Sequence, residues 1–141
     1  AVPAISLHAP TQELREKLMP KAARLAPLDE LLACLDRYPI KSRERVTYEY
    51  IMLGGVNDSL THARQLAKLL GQRRCKVNLI GYNPPPPETL AGRAAPFRAP
   101  DPADVLAFED FLRSKRITTF IRRSMGQDIA AACGQLKLVA G

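Results

Sequence analysis

Apolar and polar positions change period several times along the chain, and each change marks an element. Residues 2–7 alternate as a short strand that ends at Ser6-Leu7-His8. Thr11 can cap a helix through Leu18, with Glu13 and Glu16 in its first turns, where the helix dipole favours acids. Pro20 is expected to stop it. A second helix starts near Leu28, carries Leu31, Leu32 and Leu35 on one face, and ends by Pro39. Residues 46–53 return to period two, with Val46, Tyr48, Tyr50 and Met52 on one side and Thr47, Glu49 and Ile51 on the other. Gly54-Gly55 break that strand. Asp58 or Ser59 then caps a helix reaching Leu70, with Ala63, Leu66, Ala67 and Leu70 as its stripe and Gly71 as its stop.

Residues 75–80 form another strand, running into Gly81-Tyr82-Asn83. The Pro-rich stretch 84–102 reads as a long loop, a kind of segment that tends to be functional or mobile. Residues 103–115 predict a helix burying Val105, Leu106, Phe108 and Leu112, and 117–121 a β-branched strand. Residues 126–136 close the chain as a loop and a short helical turn around Cys133. Strands alternating with helices predict an α/β fold with a mostly parallel sheet.

Length and charge narrow the picture further. At 141 residues the chain amounts to one domain, 1–141. It opens Ala1-Val2-Pro3 directly in a strand and without an initiator Met, which reads as a piece of a longer protein. Lys and Arg total 21 against 14 Asp and Glu, a net +7 that favours a polyanionic partner but also suits a merely basic, soluble domain. No apolar run reaches the roughly 20 residues of a membrane span, and no export signal opens the chain. Three cysteines, an odd number, argue against a secreted disulfide framework and for a reducing, cytoplasmic setting.

In parallel α/β folds, functional groups collect at the carboxyl ends of strands. Three predicted strand ends carry polar groups: Ser6 with His8, Asn57-Asp58, and Asn83. Each is also what an ordinary cap or turn requires. Ser6 and Asn83 are expected on adjacent strands, facing one cavity. Cys133, between Ala130-Ala131-Ala132 and Gly134, is either a reactive thiol with room for close approach or a small buried hydrophobe. Cys34 reads as core and Cys75 as structural. No Cys-x-x-Cys or comparable cluster is present, so the chain alone holds no zinc or iron–sulfur ligand set. Arg122-Arg123 place cations before the Cys133 loop, where they can lower a thiol pKa, meet a phosphate, or simply be solvated.

Several blocks recur together in one known family. Ser6-Leu7-His8-Ala9-Pro10, residues 45–53, Gly55-Val56-Asn57-Asp58, residues 75–80, Asn83-Pro84 and Ala131-Ala132-Cys133-Gly134-Gln135-Leu136 occur here in order. Over essentially its whole length the chain resembles the C-terminal part of the RlmN/Cfr group of radical S-adenosylmethionine RNA methyltransferases. The resemblance implies a partial six-stranded (β/α) barrel, TIM-like, with a C-terminal extension at 117–141 that carries the reactive cysteine. It implies methylation of adenine C2 in 23S rRNA and in the tRNA anticodon loop; a C8 methylase or a non-catalytic basic RNA-binding remnant are the alternatives. Ser6, Leu7, His8 and Asn83 would line the S-adenosylmethionine site, and Cys133 would be the cysteine that carries the methyl group.

In the implied chemistry the thiolate first takes up a methyl group, and a second S-adenosylmethionine, cleaved reductively at a 4Fe-4S cluster, makes it reactive toward the ring. The cluster ligands and the resolving cysteine would lie upstream, leaving the fragment inactive alone. Implied partners are 23S rRNA, tRNA and an electron donor such as flavodoxin, with a monomer and no membrane. The sequence departs from the family pattern at Met125, where an arginine is usual, and at Gln127 and Ala130.

Overall fold

A computed structural model of the chain describes residues 2–122. The Cys133 loop, Arg123, Gly126 and Gly134 lie outside the described residues. Four strands form one all-parallel sheet in sequence order, β1 (Ala4–Ser6), β2 (Val46–Met52), β3 (Cys75–Gly81) and β4 (Thr118–Arg122). A doubly wound sheet would reverse its strand order; this one does not, as expected for an arc of a (β/α) barrel. β4, at the start of the expected 117–141 extension, adds to the edge of the sheet.

Period-two alternation gives the sheet two different faces. Tyr48, Tyr50 and Met52 of β2 and Val77 and Leu79 of β3 point into one large core. Helices α3 (Leu28–Asp36), α4 (Leu60–Leu70) and α5 (Pro102–Ser114) close that core with Leu32, Leu66, Leu70, Phe108 and Leu112. The other face carries cross-strand rows set by the register: Ala4, Thr47, Lys76 and Thr118, then Ser6, Glu49, Asn78 and Phe120. A second apolar cluster of Leu18, Met19, Ile51, Leu53, Tyr82 and Phe97 gathers at the carboxyl ends of the strands.

Several local expectations hold. Thr11 caps α1 (Gln12–Leu18) by accepting from the Leu14 N–H. Ser59 caps α4 with His62 in a reciprocal capping box, and Gly71 ends that helix at φ +28°. Others are corrected. The helix capped by Thr11 does end at Leu18, just before Pro20, but Pro20 also opens an additional helix, α2 (Pro20–Leu25), because a missing N–H is harmless in the first turn. Leu106 is 55% exposed, since the buried stripe of α5 is Val105, Phe108 and Leu112. Cys34 is exposed for the same reason: α3 buries Leu28 and Leu32, and position 34 lies on the opposite side of that helix. Cys75 is core, with burial pushing its thiol up to about 11. No described helix is long and apolar enough to cross a membrane.

Candidate functional site at the strand ends

Three chain segments meet at the carboxyl end of the sheet. Ser6 closes β1 with its side chain exposed. Leu7 turns to the helix side and is wholly buried in the main core, so its side chain belongs to packing. His8 follows in the left-handed backbone region, φ +59°, and is 3% exposed. Asn83 follows β3 and is exposed. Ser6 and Asn83 thus share one end of the sheet, but β2 separates their strands, which corrects the expectation of adjacency.

A buried polar brace fixes this end. Asn57 is fully buried; its Nδ2 donates to the His8 carbonyl at 2.9 Å and to the Ile51 carbonyl at 2.8 Å. Its Oδ1 accepts from the Leu53 N–H at 2.7 Å. Tyr50 Oη donates to the Asn57 carbonyl at 2.7 Å, and Asp58 Oδ1 accepts from the Gly55 N–H at 3.0 Å. One amide therefore ties the end of β1 to the end of β2 and to the turn beyond it. For Asn57 and Asp58 the cap-or-turn reading is the one the geometry supports.

His8 is part of the same brace. Its Nδ1 accepts the Ile51 N–H at 3.0 Å, so the imidazole is neutral with its hydrogen on Nε2. Burial, reinforced by the Arg15 charge, lowers its pKa to about 4. Arg15 is itself buried, with Nη1 donating to the Ala26 carbonyl and burial lowering its pKa.

Below the brace lies the polar row Ser6, Glu49 and Asn78. The Asn78 Oδ1 is buried without a hydrogen-bond partner on the face opposite the helices. Glu49 and Asn78 went unrecognised as candidates in the sequence. Their signal was present, because both fall on the polar phase of otherwise apolar strands. The pocket of about 290 Å³ between α3 and β2 lies at the opposite, amino end of the strands, beside the Arg73–Asp36 ion pair, and holds none of these groups.

Relatives place this geometry. Over 134 residues, 95% of the chain, the sequence is 54% identical to the dual-specificity RNA methyltransferase RlmN of Nitratidesulfovibrio vulgaris strain Miyazaki F. It is 55% identical over the same share to the protein of that name from Oleidesulfovibrio alaskensis. The crystal structure of a radical SAM methyltransferase from Sphaerobacter thermophilus superimposes with a TM-score of 0.77 at 45% identity, covering 96% of this chain and 38% of that one. Across 95% of its length the chain is similar to proteins named RlmN. It spans 34% and 36% of the length of the two curated relatives. No family model matches it.

The cofactors of radical SAM methyltransferases can be tested against these residues. Among the described residues no group of three His, Cys, Asp or Glu side chains could hold a metal, so an iron–sulfur cluster does not fit here. For S-adenosylmethionine the donor set is suitable in kind, since Ser6, Glu49 and Asn78 share one cross-strand row of hydroxyl, carboxylate and amide groups.

Proposed function

We propose that this chain is the C-terminal part of a cytoplasmic, monomeric RNA methyltransferase that methylates adenine C2 in 23S rRNA and in the tRNA anticodon loop. Identity of 54% across 95% of the chain carries the reading. The polar row and the braced strand ends are consistent with it.

In this reading Ser6, His8 and Asn83 line the S-adenosylmethionine site, and Leu7 meets it only through its backbone. His8 acts as a neutral donor through Nε2, because its Nδ1 is committed to the Ile51 N–H. S-adenosylmethionine supplies the methyl group. Cys133, outside the described residues, carries it as a thioether, between flanks small enough to let the RNA base approach. The 4Fe-4S cluster and the thiol that releases the product belong to the rest of the polypeptide, with flavodoxin as the electron donor. The 141 residues alone are inactive.

The test is nucleoside mass spectrometry of RNA treated with the full-length protein and its Cys133→Ala variant. The wild type should yield 2-methyladenosine, and the variant none. An 8-methyladenosine product, or turnover by the variant, overturns the assignment.

A further inference from the structure

The loop between β3 and α5 folds back over the turn that follows β2, and one cation is fixed there. Phe97 is buried against Tyr82, with ring centroids 5.9 Å apart and edge to face. The Arg98 carbonyl accepts the Gly54 N–H at 2.8 Å. This anchors the backbone on both sides of the Arg98 side chain.

The glycine pair makes room for the guanidinium. A β-carbon at Gly54 would stand 2.6 Å from the Ala99 carbonyl oxygen and 3.0 Å from Arg98 Cζ and Nη1. At Gly55, whose φ is +74°, it would stand 2.9 Å from Arg98 Nη2. The guanidinium therefore lies close over the backbone of the turn, where side chains would exclude it.

Among the described residues, no carboxylate lies within ion-pair distance of Arg98. Asp58, on the same turn, directs Oδ1 to the Gly55 N–H. Arg98 forms no ion pair and no side-chain hydrogen bond with any described residue. An exposed, positioned and unpaired guanidinium at the carboxyl ends of parallel strands matches the geometry of a two-oxygen anion.

We propose that Arg98 is a binding residue for a phosphodiester of the nucleic-acid substrate, held at the rim of the site by the Gly54-Gly55 cradle. The proposal rests on the RNA-methyltransferase reading for the identity of the polyanion. A rim position and a net charge of +7 favour phosphate over the cofactor's carboxylate, which presents the same two-oxygen chemistry.

The experiment uses the full-length protein with Arg98→Ala and Arg98→Lys. Fluorescence anisotropy with a labelled RNA stem-loop measures RNA affinity across salt, and equilibrium dialysis with radiolabelled S-adenosylmethionine measures cofactor affinity. Arg98→Ala should weaken RNA binding about tenfold for unrelated RNA sequences and lower the salt slope by about one, leaving cofactor affinity unchanged. Arg98→Lys keeps the charge and a stem over the glycines; it should restore the slope but only part of the affinity. Unchanged RNA affinity and slope in Arg98→Ala overturn the proposal. So does loss of cofactor affinity alone, which would assign Arg98 to the carboxylate. A wild-type protein that binds RNA but makes no methyladenosine defeats the proposed function, while the Arg98 comparison still reads out.

Discussion

The two faces of the sheet come from the same strands and obey opposite rules. On the helix-covered face, Tyr48, Tyr50, Val77 and Leu79 are at most 1% exposed and pack against α4 and α5. On the other, Glu49 and Asn78 sit between them in sequence, half-buried, and one carries an acceptor without a partner. A parallel strand buried on both sides by core packing would read as a continuous apolar run. These strands alternate through Glu49 and Asn78, so one face holds the fold while the other keeps polar side chains there; nearer the carboxyl end Ile51 is buried on that face in the second cluster.

Predictions follow that division, from the largest effect to the smallest. Phe108→Ala removes a fully buried ring 5.3 Å from that of Tyr50 and should lower stability by about 3–5 kcal/mol in chemical denaturation. Asn57→Ala strands the His8 and Ile51 carbonyls and the Leu53 N–H; a loss of about 3 kcal/mol is expected, with β1 freed from β2 at its carboxyl end. Retention of wild-type stability by Asn57→Ala would show that the brace is dispensable.

His8 should set a pH dependence. The unfolded chain protonates it near 6.5 and the folded chain only near 4, so stability is full above pH 6.5 and falls as pH drops toward 4. The span corresponds to about 3 kcal/mol. His8→Asn keeps an acceptor for the Ile51 N–H and tolerates a positive φ, so denaturation curves across that window should flatten while stability at pH 7 changes little. A slope unchanged by His8→Asn would move the effect to another group. Smallest of all, Glu49→Gln should alter stability by no more than about 0.5 kcal/mol, because the carboxylate supports no packing.

Much of this architecture is legible in the chain. Alternation in residues 46–53 is enough to separate the two faces, and the stripe of Ala63, Leu66, Ala67 and Leu70 is buried as its helical spacing requires. Pro20 marks the end of α1 as expected but hides α2, because a proline suits the first turn of a helix as readily as the stretch after one. Cys34 and Leu106 mislead because short apolar helices offer more than one plausible stripe, and only the neighbouring element decides which is buried. The Asn57 brace is invisible for another reason. Its bond to His8 spans 49 residues of sequence, and no local pattern encodes a partner at that distance. Arg98 is the same case, since its cradle is made by two glycines more than forty residues upstream.

The split between strand ends that bind the cofactor and a helix-covered face that holds the fold is tested most directly by one paired measurement on the full-length protein, S-adenosylmethionine affinity by equilibrium dialysis alongside the thermal midpoint, for Asn83→Ala and Leu79→Ala. Asn83→Ala should lose at least tenfold in affinity, while Leu79→Ala should lower the midpoint and leave the affinity of the folded protein intact. Wild-type cofactor affinity in a well-folded Asn83→Ala protein would contradict that split.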